Sequence, residues 1–114
     1  MSPDYQIPGR VPQDGVARQA VSDFWRTRYT HEPYYDNTRF FDDYEPAYQI
    51  GHAAHAENRA QAMIRAYEDV EHELESRWHA DHGKSRLNWE QARNAVRRGW
   101  EEASKLDPHV QINR

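Results

Sequence analysis

The chain has no cysteine, which excludes a disulfide framework, a thiol nucleophile and any zinc or iron–sulfur site built on cysteine. It has no long apolar run either. A bilayer-spanning helix needs about 20 consecutive apolar residues, and no stretch of the sequence approaches that. The start, Met1-Ser2-Pro3-Asp4, lacks the basic and then apolar pattern of a secretory leader. The expectation is a soluble, cytoplasmic protein with no membrane span. Chemical motifs are also missing. There is no Gly-rich phosphate loop, no Gly-x-Ser-x-Gly elbow and no His-Glu-x-x-His pattern. No catalytic constellation is legible, so a protein that is not an enzyme is expected.

Apolar residues are scarce at 37%, and mean hydropathy is −1.21. Such values alone would suit a disordered chain, but disordered chains are poor in aromatics. This one carries four Trp, seven Tyr and three Phe. Each buried aromatic removes about 150–250 Å² from water. A single small domain with an aromatic core is therefore expected.

Charge is uneven along the chain. Residues 1–41 are neutral overall, residues 42–81 carry ten acids against three bases, and residues 82–114 carry seven bases against four acids. An acidic middle can pair with a basic end within one fold or between copies. The basic excess is too small for a typical nucleic-acid binder. A protein partner or a homo-oligomer is the expected association, with no nucleic acid.

Residues 1–15 hold Pro3, Pro8, Gly9, Pro12 and Gly15, which suit an extended arm. The apolar spacing of Val21, Phe24, Trp25 and Tyr29 predicts a helix over residues 16–30. Pro33 ends it. Asp42 or Asp43 offers a cap for a second helix over 44–58, with Pro46 in its first turn. No breaker lies in 59–68, so that helix could run on into the next. Asp69 offers a cap for a helix over 70–81, with Val70, Leu74 and Trp78 inward and His72, Glu75 and His79 on the wet face. Gly83 reads as the C′ residue. Asn88 and Gln91 have capping-box spacing for a last helix over 89–105, with Trp89, Ala92, Val96 and Trp100 as its stripe. A short echo of turn residue, apolar residue and glutamate recurs at Phe41–Glu45, Tyr67–Glu71 and Asn88–Glu90. Capping chemistry suffices to produce it.

The reading is an all-α domain of three to four short helices over residues 16–106, with an extended arm over 1–15 and a tail over 107–114. Its expected core is Trp25, Phe40, Phe41, Tyr44, Tyr48, Tyr67, Val70, Leu74, Trp78, Leu87, Trp89, Val96 and Trp100.

Three segments together carry a resemblance. Tyr44-Glu45-Pro46-Ala47-Tyr48 with Gly51, then Asp69-Val70-Glu71 with Leu74 and Trp78, then Trp89-Glu90 with Val96 and Trp100, resemble a family of small uncharacterised bacterial proteins associated with stress. The likeness covers roughly residues 22–104. It departs at His72, where that family often has proline, and in the Ala-rich stretch 53–66. It implies no catalytic residue.

Two kinds of site are readable. His52 and His55 stand one helical turn apart and are the candidate ligands for a divalent transition metal. Such a site needs further ligands, such as His31, Asp42 or Glu45. The plainer reading is two histidines satisfied inside an aromatic core, and no cofactor is the first expectation. The carboxylates Asp42, Asp43, Glu45, Glu68, Asp69 and Glu71 cluster at helix starts, where they offset the helix dipole. The second kind is an interaction surface. Tyr34, Tyr35, Phe40, Phe41, Tyr44 and Tyr48 are crowded together, and Tyr5 and Ile7 lie in the arm. Tyrosine suits half-buried interfaces. The leading functional expectation is an interaction or structural protein docking through this arm and loop. The alternative is a metal-binding helical protein.

Overall fold

Asn88 and Gln91 close the start of the last helix as their spacing predicts. The Asn88 Oδ1 accepts the Gln91 amide at 2.9 Å, and the Gln91 Oε1 accepts the Asn88 amide at 3.0 Å. A computed structural model of the protein describes residues 11–106, with side chains from 17 to 105. The described residues form four helices and no strand: α1 Val11–Arg26, α2 Phe41–Arg59, α3 Tyr67–Ala80 and α4 Trp89–Leu106, with a 3-10 turn at Tyr29–His31. Arm residues 1–10 lie outside the described residues.

Several boundaries differ from expectation, each for a physical reason. α1 starts at Val11, so residues 11–15 are helical. The first four amides of a helix have no intrahelical acceptor, so Pro12 forfeits no bond there. α2 starts at Phe41, earlier than expected, because Asp43 reaches back. Its Oδ2 accepts the Phe40 amide at 3.0 Å. Pro46 therefore falls inside the helix rather than in its first turn. α3 starts at Tyr67 with Ala66 as the cap, and Asp69 lies in the first turn. There its charge meets the positive end of the helix dipole. Gly83 is not the C′ residue. It lies two residues beyond the cap Asp81 with φ +59°, in a turn where the Asp81 carboxylate accepts its amide at 3.0 Å.

α2 and α3 are two helices, broken at 60–66. The buried Asn58 side chain makes the break. Its Nδ2 donates to the Arg65 carbonyl at 2.8 Å, and its Oδ1 accepts the Arg65 amide at 3.1 Å. Those two bonds give the turning backbone what a continuous helix would otherwise supply. Arg65 then forks the Glu73 carboxylate, and Arg77 reaches Glu57 at 2.8 Å.

α2 and α4 form the central pair, with α1 and α3 on their flanks. The pair approaches backbone to backbone. A Cβ on Gly51 would lie 2.2 Å from the Val96 carbonyl oxygen, and one on Gly99 would lie 2.9 Å from the Tyr48 carbonyl oxygen. Around this crossing lie the expected core residues with one exception. Phe40 is 69% exposed, with the Arg86 guanidinium over its ring. It precedes α2, where the chain is extended, so its side chain points away from the face that Phe41 and Tyr44 bury. Ala47, Ile50, Ala54, Ala92 and Ala95 complete the core.

The uneven charge is absorbed within the chain. Arg93 pairs with Glu71, Arg97 with Glu68, and Arg86 with Asp43. The basic helix α4 thus lies along the acidic start of α3.

Candidate functional site

The densest polar chemistry lies inside the aromatic core. Trp25 of α1 is fully buried, and its ring lies flat on Tyr48 with centroids 4.0 Å apart and planes within 1°. Its indole Nε1–H donates to Nε2 of His52 at 3.0 Å. An indole can only donate, so Nε2 must offer its lone pair and the imidazole is neutral, with its proton on Nδ1. Burial pushes the His52 pKa down to about 4, with His55 adding and Glu102 opposing. The bond to Trp25 acts in the same direction, since protonating Nε2 would leave the indole without an acceptor.

A second layer covers this pair. The hydroxyls of Tyr34 and Tyr48 share a hydrogen bond of 2.6 Å. Burial raises both phenols well above their ordinary value. Arg98 of α4 forks the Glu32 carboxylate at 2.8 and 3.3 Å and also reaches Glu102 at 3.0 Å. Its guanidinium lies 5.4 Å from the Trp25 ring. Glu32 and Arg98 are 66 residues apart, and their bond fastens the loop after α1 onto α4.

A third constellation joins the start of α2 to the segment before α4. Asp43, nearly fully buried, accepts bonds from the Phe40 amide, the Arg86 amide, and Arg86 Nε and Nη2, the last at 2.6 Å. Ser85 donates its hydroxyl to the Asp43 carbonyl. These bonds, Arg86 foremost, hold the Asp43 carboxyl well below the usual carboxylate range.

The residues expected to bind partners fall into different settings. Phe41, Tyr44 and Tyr48 are buried, which removes them from any docking surface. Tyr34 and Tyr35 are half-buried against the same core. Phe40 alone of the group is exposed, and Tyr5 and Ile7 lie outside the described residues. The tyrosine-rich segment turns inward because its hydroxyls find partners there: Tyr44 accepts the Asp36 amide at 3.0 Å, and Tyr34 meets Tyr48.

The expected metal ligands are also engaged inside. His52 gives Nε2 to Trp25, and the buried His55 packs edge-on against Trp100 at 5.3 Å. A metal on this pair would have to displace Trp25 or use Nδ1. Among the described residues no three His, Asp or Glu side chains are grouped to hold a metal ion. The wet-face cluster on α3 is a surface pair, His79 to Glu75 at 3.4 Å. A shallow depression of about 470 Å³ between α2 and the 81–84 turn is lined by Arg18 and Lys84 but also by Glu45 and Asp81, so neither sign of ligand is favoured.

The surface feature that sequence reasoning missed is the α2–α3 loop. Met63 is 77% exposed and Ile64 is 52% exposed, with Ala62 and Ala66 beside them. The one signal in the sequence was the apolar Ala62-Met63-Ile64 run itself.

These features define a small all-α domain of four helices with a polar-lined aromatic core and an apolar loop at one end; no described helix is long and apolar enough to cross a membrane. Compared with known proteins, the chain matches no protein-family model, no curated protein and no solved structure.

Proposed function

We propose that this chain is a non-enzymatic interaction protein that meets a protein partner through the α2–α3 loop. The observation that carries the reading is the exposed pair Met63 and Ile64 on a loop whose backbone is pinned from below by Asn58. Isolated exposed apolar residues are ordinary. Here two large ones are adjacent, on a short loop held at its far end by the two Asn58 bonds to Arg65, which limits the freedom lost on docking. Methionine adapts its shape to a partner surface. The stress association implied by the family resemblance remains part of this proposal, as does a homo-oligomer as the form the partner takes.

A photo-crosslinking residue at position 63 of the full chain, introduced in cells that make the protein, tests this. One discrete adduct at 63, absent when the crosslinker replaces the exposed Glu90 and lost on Ile64→Glu, is the expected result. Equal, diffuse labelling at 63 and 90 would sink the reading.

A further inference from the structure

Trp25 differs from an ordinary buried tryptophan in where its N–H points. Trp78 donates to the Leu87 carbonyl at 3.2 Å, an oxygen that cannot take a proton. Trp25 donates to an imidazole lone pair at 3.0 Å. A neutral imidazole is a base, and it stands already aligned with the indole proton.

The rest of the setting acts on charge. Arg98 lies over the Trp25 ring, but its charge is met by Glu32, Glu101 and Glu102, so what opposes an indole radical cation is the burial of the ring. Loss of an electron alone leaves that charge on the buried ring, whereas passing the Nε1 proton to His52 moves it onto the imidazole. Tyr48, stacked on Trp25, is the competing ring. Its hydroxyl shares a bond with the hydroxyl of Tyr34, a far weaker base than imidazole.

We propose that Trp25 is a one-electron donor site. Its indole gives one electron to an external one-electron oxidant, and its Nε1 proton moves to Nε2 of His52. The products are a neutral Trp25 radical, a His52 imidazolium and the reduced oxidant. Burial and His55 of α2 oppose the imidazolium, while Glu102 of α4 favours it. His52 is a positioning base in this step, and Trp25 is the redox group.

The experiment is flash oxidation of the full chain with a photogenerated tris-bipyridyl ruthenium(III) ion, followed by freeze-trapping and electron paramagnetic resonance. A neutral tryptophanyl radical is expected, absent in Trp25→Phe. In His52→Gln the side chain still accepts the indole bond but cannot hold the proton. The yield should then fall by roughly a hundredfold, the low end of what a positioned base contributes. Formation should also slow in deuterated water. Should His52→Gln fail to fold by circular dichroism, the isotope effect in wild type decides the matter. A radical that survives Trp25→Phe, or one formed equally fast in deuterated water and in His52→Gln, overturns the proposal.

Discussion

Gly51 and Gly99 lie against each other where α2 crosses α4, so close that a Cβ on Gly99 would sit 3.3 Å from the Gly51 Cα. On an open helix, Gly→Ala would stabilise by roughly 0.5–1 kcal/mol. Here the added methyl of Gly51→Ala meets the Val96 carbonyl at 2.2 Å, and backbone cannot rotate away. Overpacking typically costs about 1–3 kcal/mol and sometimes more. Gly51→Ala should lose about 2 kcal/mol or more in urea unfolding. A neutral or stabilising result would mean the helices can slide apart without penalty.

The buried Asp43 carboxylate is the hinge of a second prediction. It accepts Arg86 through three bonds and caps α2 through a fourth. Hydrogen bonds to charged groups are worth about 1.5–3 kcal/mol each at most, and the half-exposed Arg86 brings screening. Asp43→Ala should therefore cost about 2–3 kcal/mol at neutral pH. The folded pKa lies below the unfolded one, so the contribution is fully present above the unfolded value of about 4 and fades as pH falls below it. The variant should show a shallower acid transition below about pH 4 than wild type.

His52 acts in a separate window. Its folded pKa is about 4 against an ordinary value of 6.5. Between those values the unfolded chain holds a proton that the native chain lacks, so stability falls as the solution is acidified. The slope from this group reaches at most about 1.4 kcal/mol per pH unit. His52→Gln should flatten urea midpoints across that window and leave the lower, Asp43-dependent loss in place. An unchanged profile would place the titrating group elsewhere.

Asn88→Ala removes the side-chain acceptor of the Gln91 amide at the start of α4 and leaves the backbone bond from the Asn88 amide to Gln91 Oε1 in place. It should cost about 1 kcal/mol, with Asn88→Asp retaining most of it. Thermal melts of the two variants give the comparison directly. No difference between them and wild type would show that α4 is held by packing alone.

The Asn88–Gln91 box was legible because it is local: three residues of spacing and two side-chain types suffice to specify it. The stripes of Val70, Leu74 and Trp78 and of Trp89, Val96 and Trp100 were legible for the same reason. Helical periodicity marks a buried face without naming what covers it. The helix break at 60–66 was not legible. It depends on Asn58 turning inward, and nothing in an Ala-rich stretch announces that.

What the amino-acid sequence determined by itself was the all-α class, most of the helices and nearly the whole aromatic core. Each of those follows from short-range pattern and from the scarcity of apolar residues that forces the aromatics inside. The tertiary structure decided the pairings. Gly51 needs Gly99, Asp43 needs Arg86, Glu32 needs Arg98 and His52 needs Trp25, each partner at least 27 residues away. The same long-range packing turned the crowded tyrosines from a docking surface into core, and left Met63 and Ile64 outside. A polar group is satisfied by whichever partner the fold brings within hydrogen-bonding distance, and that distance is set by how helices cross rather than by the order of residues along them.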